Sequence, residues 1–145
     1  MKNLPELLKK EGYKKIAFKV SKTQHLLIKA TINDIQGNFI LDTGASNSCV
    51  GFESVAFFNL NANDSSTKAA GAGAVGMSTQ LAKNNALSIG RWKNKNFDLV
   101  VFDMIHVNEA LQQYKVKPVH GILGADILLK GKAIIDYYNH FLYLK

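Results

Sequence analysis

The sequence has a single cysteine, two prolines and no long apolar run among its 145 residues. The lone cysteine, Cys49, cannot form a disulfide within the chain. No activating partner lies near Cys49 in the sequence, which argues against a catalytic thiol and leaves a small buried residue as one open interpretation. The four histidines are far apart and no Cys/His cluster has zinc-ligand spacing, so we expect no metal site.

Segments that would carry the chain into or across a membrane are also missing. No apolar stretch approaches the roughly 20 residues that span a bilayer. Residues 1–15 contain several lysines, but they lack the apolar core of about 7–15 residues that a secretory signal has. We therefore expect a cytoplasmic protein with no membrane partner, and the length suits a single domain.

Basic residues exceed acidic ones, 18 against 11, which gives a formal net charge of +7. Such a charge is compatible with acidic substrates or with nucleic acid. The lysines, however, are scattered from Lys2 to Lys145, and aromatic residues do not alternate with them in a repeated way. This distribution favours a solvated basic surface, and we expect no nucleic-acid partner.

The chain is dominated by short strand-forming segments with turn residues between them. Apolar, often β-branched residues recur in runs or in alternation, which predicts a mainly-β sandwich or barrel. Strands are predicted at residues 15–20, 25–32, 38–41, 87–90, 97–102 and 119–123, with two more in 133–144. Short helices are predicted at 4–8, 108–114 and 126–129, with 52–60 ambiguous, and turns or loops at 33–37, 61–66 and 91–96.

The segment Asp42 to Gly44 is expected to leave the predicted sheet on a tight loop. It follows directly on the apolar strand predicted at 38–41, and Gly44 allows backbone conformations that are barred to other residues. An Asp-initiated turn that ends a hairpin explains the same three residues. A tripeptide of this kind also arises by chance in roughly a few per cent of chains this long. Its meaning therefore depends on the rest of the sequence.

A second motif follows about eighty residues later, where Gly121 to Asp126 combines apolar residues and glycine at a predicted helix start. We expect Asp126 to cap that helix. Residues 39–46, then 121–126 and then 134–137 resemble the retropepsin-like aspartic protease family, and its bacterial and cellular members more than its viral ones. The resemblance covers residues 26–144 approximately and joins separated motifs in the right order.

The resemblance implies a pepsin/retropepsin-like closed β-barrel half-molecule with one or two short helices, active as a homodimer and without cofactor. It implies an N-terminal extension with a short helix over residues 1–20 and a protease domain over 21–145. Asp42 would be the catalytic residue. The supporting loop residues would be Thr43, Gly44, Ala45 and Ser46, and the residues packed beneath the loop would be Ile122, Leu123 and Gly124.

Counting carboxylates leads independently to a dimer. Aspartyl proteolysis needs two carboxylates, and the chain has one such motif, so a second copy must supply the other. Viral relatives usually have an acidic residue where Ser46 stands and an arginine where Ala125 stands. Because that pair is missing, we expect the dimer contacts to come from elsewhere, with the terminal strands in 133–144 as the candidate.

A glycine-rich stretch occupies positions 71–76. In the resembled fold it would be the flap that closes over bound peptide; its residues are Gly71, Ala72, Gly73, Ala74, Val75 and Gly76. The same letters match a dinucleotide-binding pattern, which requires an apolar strand immediately before it. Residues 63–70 are mostly polar instead, which disfavours the nucleotide interpretation.

The sequence therefore predicts an aspartic endopeptidase that hydrolyses peptide bonds through a water held between two Asp42 carboxylates. Its partners would be a peptide or protein substrate and a second copy of itself. The alternative is a non-catalytic dimeric peptide-binding or scaffold domain of the same fold. The intact Asp42 argues against that alternative, because a scaffold has no need for this carboxylate.

Overall fold

The computed structural model describes residues 3–65 and 79–145, which form two sheets and four short helices. The helices are α1 (Leu4–Lys10), α2 (Ser54–Phe57), α3 (Ile105–Gln113) and α4 (Ala125–Lys130). The first strands are β1 (Lys14–Ala17), β2 (Lys19–Val20), β3 (Leu26–Ile32), β4 (Ile35–Leu41), β5 (Cys49–Gly51) and β6 (Ala62–Ser65). The later strands are β7 (Thr79–Ile89), β8 (Trp92–Phe102), β9 (Gly121–Leu123), β10 (Ile134–Asp136) and β11 (Phe141–Leu144).

The larger sheet closes into a six-stranded barrel in the order β3-β4-β9-β5-β8-β7, and β7 returns to pair with β3. Two of the pairings, β4 with β9 and β5 with β8, are parallel, and the other four are antiparallel. The β2 and β6 strands extend this sheet beyond the ring. The predicted mainly-β, closed-barrel fold is thus confirmed.

The wall of the barrel separates two apolar clusters. Along β4, Phe39 and Leu41 belong to the larger cluster, whereas Ile40 belongs to the smaller one. Side chains alternate between the two faces of a strand, so three consecutive apolar residues can serve both clusters. The smaller cluster also contains Ile122 from β9 and Leu111 from α3. The strand that leads to Asp42 is therefore packed on both faces.

The smaller sheet has the order β1-β11-β10. Its β1 strand pairs with β11 from Lys14 opposite Leu144 to Ala17 opposite Phe141. The predicted N-terminal helix is present as α1, with a proline in its first turn, where the missing N–H costs nothing. The predicted division of the chain between residues 20 and 21 stays a prediction.

Two of the predicted loops are wrong. Residues 61–66 were expected as a loop, yet β6 runs from Ala62 to Ser65 and pairs with β7. Residues 91–96 were expected as a polar turn, but β8 already begins at Trp92, and the turn is confined to Gly90 and Arg91. In both cases the polar residues lie on the antiparallel strands β6, β7 and β8, which pair with one another in this order. One face of these strands meets solvent there and needs no apolar side chains.

The turn between β3 and β4 is also shorter than predicted. Only Asn33 and Asp34 lie outside the strands, and both have positive φ values, 51° and 69°. Two consecutive residues of that kind are typical of a type I′ hairpin, whose twist matches that of the flanking strands. Asn33 is further held by donating its side-chain amide to Asn85 Oδ1 and to the Phe58 carbonyl, both at 3.0 Å.

Candidate active site

Asp42 is the first residue after β4 and begins a tight loop. Its N–H donates a 2.9 Å hydrogen bond to the carbonyl of Leu123, the last residue of β9. Since β4 and β9 are parallel and Leu41 pairs with Leu123, both strands end at the same edge of the barrel. The Asp42 side chain is half-buried there. The two sequence motifs, about eighty residues apart in the chain, therefore meet at one place.

The carboxylate of Asp42 is oriented by its own loop. Gly44 N–H donates a 2.8 Å hydrogen bond to Asp42 Oδ1, and Ala45 N–H donates one of 3.2 Å to the Asp42 carbonyl. This is an Asx-type turn, in which the aspartate side chain imitates the backbone of a turn. A Cβ added at Gly44 would lie 3.3 Å from Oδ1, so a larger residue would press on the carboxylate.

Of the other predicted loop residues, Ala45 is buried whereas Thr43 and Ser46 are exposed. Ala45 joins the smaller apolar cluster. The supporting role that the resemblance implies for Thr43 and Ser46 stays a prediction.

The backbone of the loop lies against the second motif. The Ala45 carbonyl accepts a 2.7 Å hydrogen bond from Ala125 N–H, and a Cβ added at Gly124 would lie only 2.5 Å from that same carbonyl oxygen. At Gly121 the space is smaller still, since an added Cβ would lie 2.0 Å from the Cys49 carbonyl oxygen. Both glycines are thus required by close backbone approach.

A further contact, which sequence analysis missed, ties the loop to α4 through Ser48. This serine is fully buried, and its Oγ donates a 2.7 Å hydrogen bond to Asp126 Oδ1. Its N–H donates to Asp126 Oδ2 at 2.9 Å, and its Oγ accepts from Gly124 N–H at 2.8 Å. In the sequence, Ser48 was one hydroxyl residue before an apolar strand, which is too common a pattern to single it out.

The expected role of Asp126 changes accordingly. It was predicted to cap α4, but the N-cap position is Gly124, and Asp126 lies inside the first turn of that helix. Its Oδ1 does accept the N–H of Ile127 at 2.8 Å, and a carboxylate in the first turn is favourable beside the helix dipole. Two of its three hydrogen bonds are nevertheless with Ser48, and they connect the helix to the loop.

Cys49 follows Ser48 on β5 and is buried, with about 5% of its surface exposed. Burial, assisted by the nearby carboxylates of Asp126 and Asp42, raises the pKa of its thiol to about 12. The thiolate is the nucleophilic form of cysteine, so this side chain is a packing residue and not a reactive one.

His120 precedes β9 and stacks on Phe57, with ring centroids 4.6 Å apart and an angle of 7° between the rings. Its Nδ1 accepts the N–H of Asn38 at 3.0 Å. Burial lowers the pKa of His120 below its ordinary value of 6.5, because a half-buried imidazolium is poorly solvated. These contacts make His120 part of the packing beside the second motif.

A cavity of about 640 Å³ opens beside Asp42. It is bounded by β4, β9, the segment before β3 and one side of α3. Across residues 3–65 and 79–145, no three His, Cys, Asp or Glu side chains are grouped so that they could hold a metal ion. The predicted flap residues 71–76 lie outside the described ranges.

Several solved structures share this fold. A retropepsin-like aspartic protease from Rickettsia conorii matches with a TM-score of 0.61 and 20% identity, over 91% of this chain and 89% of that one. A retroviral protease-like domain from Leishmania major matches with a TM-score of 0.56 and 16% identity, over 83% and 88%. EIAV protease in an inhibitor complex matches with a TM-score of 0.53 and 19% identity, over 81% and 98%. At such identities the comparisons define the fold class, that of retropepsin-like proteases.

The family itself follows from the sequence motifs. The family model described as "Aspartyl protease" matches residues 28–127, a range that includes both Asp42 and Asp126. The chain belongs to this aspartyl protease family.

No curated protein sequence matches the chain. None of the helices in the described ranges has the length and apolar character that a membrane crossing requires.

Proposed function

We propose that the protein is an aspartic endopeptidase that acts as a homodimer, with Asp42 as the catalytic carboxylate of each copy. The observation that supports this most strongly is the position of Asp42. Its carboxylate is held by Gly44 N–H at the edge of the barrel and borders a cavity large enough for part of a peptide. Among the described residues that line this cavity, Asp42 alone carries a carboxylate.

The second carboxylate would come from a second copy of the chain. A twofold axis beside the loop would bring two Asp42 side chains together in the same geometry. Two carboxylates at close range cannot both ionise cheaply, so they share one proton. One copy then has an ionised Asp42 and the other a protonated one.

This pair can hydrolyse a peptide bond without metal or cofactor. The ionised Asp42 takes a proton from a water held between the copies, and the water oxygen bonds to the scissile carbonyl carbon. The protonated Asp42 donates a hydrogen bond to the carbonyl oxygen and stabilises the charge that develops there. When the tetrahedral intermediate collapses, the C–N bond breaks and the leaving nitrogen receives a proton from the pair.

The terminal segment supports a dimer contact. β10 has β11 on one side, and no strand of the described residues pairs with its other edge. Two large side chains that directly follow β10 are strongly exposed: Tyr137 at 63% and Tyr138 at 92%. An unpaired strand edge flanked by exposed apolar groups is a surface that pairs readily with another chain. We assign the dimer contact to this edge.

The test is Asp42-dependent hydrolysis of a peptide library between acidic and neutral pH. We expect cleavage by the wild type, inhibition by a statine-type compound, and loss of cleavage in Asp42→Asn. Asp34→Asn is the matched control, because it makes the same chemical change in the exposed turn at the other end of β4.

Two outcomes would overturn the proposal. One is hydrolysis by the wild type that is no faster than that of Asp42→Asn. The other is a strict monomer at high concentration in sedimentation velocity, since a single Asp42 cannot form the pair. Peptide binding without hydrolysis would instead support the non-catalytic scaffold that the sequence left as the alternative.

A further inference from the structure

A second cavity, of about 690 Å³, lies over the β3–β4 hairpin. Among the described residues, it shares none with the cavity beside Asp42. Along β3, Ile28 and Ala30 belong to the larger apolar cluster, so the side chains of Lys29 and Thr31 lie on the opposite face of the strand. We name the cavity over that face the lateral groove. Its volume falls within the range of about 300–1,000 Å³ that is typical of ligand sites.

The floor of the lateral groove is a run of cross-strand pairs. Three pairs follow one another along this face: Leu27 with Ile40, Lys29 with Asn38 and Thr31 with Gln36. Ile40 also lines the cavity beside Asp42, so the groove begins where that cavity ends. From the first pair to the third, four residues of strand span about 13 Å at 3.3 Å per residue. This length suits about four residues of an extended peptide.

Both walls of the groove are held by contacts within the chain. One wall is residues 117–119, where the Asn108 side chain donates to the Val119 carbonyl at 3.1 Å and accepts the Val119 N–H at 2.8 Å. The other wall contains Phe18, whose N–H donates to the His140 carbonyl at 3.1 Å. The Phe18 ring also stacks on the His140 ring, with centroids 5.7 Å apart. A preformed groove of this kind lowers the cost of ordering on binding.

The charge of the lateral groove has one sign. Lys19, Lys29 and Lys117 line it and are all exposed, and no Asp or Glu of the described residues lines it. None of these three lysines has an ion-pair partner in the part of the chain that the structure describes. Asp34 lies in the turn beyond Gln36 and is not part of the lining. The groove therefore attracts negatively charged groups.

The polar groups of the floor suit a polypeptide. The side chains of Thr31, Gln36 and Asn38 make no hydrogen bond within residues 3–65 and 79–145. A hydroxyl and two amides can each donate and accept, which matches both a peptide backbone and a carboxylate. A single-stranded nucleic acid would need exposed aromatic rings on which its bases stack. The one aromatic ring in the described lining, that of Phe18, is only 4% exposed.

We infer that the lateral groove is a docking site for an acidic, extended segment of the protein substrate, outside the residues that flank the scissile bond. The inference rests on the proposed endopeptidase function and extends the substrate contact beyond the cavity beside Asp42. A second copy of the chain is a poorer occupant, because its net charge of +7 would meet the three lysines.

The first experiment compares peptide substrates that differ outside the cleaved part. A cleavable octapeptide is extended, at either end, by a spacer of four Gly/Ser residues and a tail of four Glu that alternate with Val. Such a spacer has a mean length of about 11 Å, which lets one peptide occupy both cavities. At one of the two ends, we expect the Glu tail to lower KM about three- to tenfold relative to a Gln tail, with kcat little changed. The gain should shrink at high salt.

The second experiment measures docking without catalysis. The tail alone, labelled with fluorescein, is titrated into Asp42→Asn protein. Amide NMR should show shifts at Thr31, Gln36 and Lys117. A saturating statine-type inhibitor, added to the wild type, should not displace the tail, because the two cavities are separate. Displacement of the tail by that inhibitor would overturn the inference.

Variants of the groove test the assignment. Lys29→Gln with Lys117→Gln should abolish the advantage of the Glu tail, and Thr31→Trp should do so by filling the groove. All should leave hydrolysis of the short octapeptide unchanged. Lys93→Gln with Lys95→Gln is the matched control: it removes the same charge from exposed positions on β8 that line neither cavity. Thermal unfolding checks that each variant is folded.

The outcomes separate this inference from the proposed function. If hydrolysis depends on Asp42 but the Glu and Gln tails give equal KM values, the inference is wrong and the function stands. If the tail binds in a manner that depends on Lys29 and Lys117 while no peptide is hydrolysed, the groove stands and the endopeptidase proposal is wrong.

Two further results would assign the groove to another occupant and overturn the inference. One is tighter binding of an eight-nucleotide oligouridylate than of the Glu tail at the same salt concentration. The other is a shift towards monomer in sedimentation velocity for the Lys29→Gln, Lys117→Gln variant without its control showing the same, since the groove would then be a contact between copies.

Discussion

Ser48 Oγ donates a 2.7 Å hydrogen bond to Asp126 Oδ1, across 78 positions of sequence. This bond and its neighbour from Ser48 N–H attach the loop that follows Asp42 to the first turn of α4. The carboxylate of Asp126 is thereby occupied by three donors, from Ser48 twice and from Ile127 once. The arrangement makes the position of the candidate catalytic loop depend on a residue that does not border the cavity.

We predict that Asp126→Asn weakens both stability and activity. The new amide replaces one acceptor oxygen with a donor, which leaves a donor of the buried Ser48 unpaired at a cost of about 1–3 kcal/mol in the free energy of unfolding. A displaced loop would lower kcat by up to about 100-fold. Urea unfolding and steady-state kinetics measure the two effects.

The matched control for this variant is Asp98→Asn. Asp98 accepts one exposed backbone hydrogen bond, from Asn84 N–H at 3.0 Å, so its replacement should change both quantities little. A second variant, Ser48→Ala, should resemble Asp126→Asn because it removes the Oγ hydrogen bond from the other side. If kcat and stability are unchanged in both Ser48→Ala and Asp126→Asn, the network does not position the loop.

Cys49 should resist alkylation in the folded protein. Burial raises the pKa of its thiol to about 12, so hardly any thiolate exists at pH 8. We expect iodoacetamide to modify the native protein much more slowly than the urea-unfolded chain, as followed by mass spectrometry. The measurement is unambiguous, since Cys49 is the single cysteine of the sequence. Modification of the native protein at the rate of the unfolded chain would contradict the packing role.

His120 should make stability depend on pH at mildly acidic values. Its pKa is lowered in the folded state by burial, so the unfolded chain binds a proton that the folded chain does not. The contribution of neutral His120 is therefore complete above pH 6.5, its ordinary value, and is lost as the pH falls from there through the folded pKa. Urea unfolding between pH 8 and pH 5 should show this decline.

Two variants isolate the effect of His120. His120→Gln removes the titrating group, so the decline between pH 8 and pH 5 should become shallower. His106→Gln makes the same change at an exposed position on α3 and should keep the wild-type slope. An unaltered slope in His120→Gln would assign the pH dependence to other groups.

The exposed edge of β10 should control dimerisation. Replacing Tyr137 and Tyr138 together with glutamate places charges beside the unpaired edge, and like charges from two copies would repel each other. We expect a shift towards monomer in sedimentation velocity and a parallel loss of peptide hydrolysis, with thermal unfolding little changed. Phe52→Glu alters another exposed aromatic residue and is the control. A double variant that stays dimeric would place the dimer contact on another surface.

Local patterns predicted much of this protein correctly. The apolar and β-branched residues at 25–32 predicted β3, and the apolar run before Asp42 predicted the strand that delivers it. The order of the motifs was enough to predict a retropepsin-like barrel. The wrong predictions were also local. The polar residues at 62–65 and 92–96 suggested loops, although they lie on strands whose one face meets solvent. Such a strand cannot be recognised from its own residues without knowing the strand with which it pairs.

The order of residues alone thus predicts that an aspartate follows an apolar strand and that a second motif with two glycines follows later in the chain. Tertiary structure alone decided that these motifs meet, through the parallel pairing of Leu41 with Leu123. It also decided that Ser48 reaches Asp126 and that α3 stands beside Asp42 as the wall of a cavity. Strand periodicity depends on residues that are neighbours in the sequence, so it can be recognised there. A hydrogen bond or a cavity between distant segments depends instead on how the whole barrel closes.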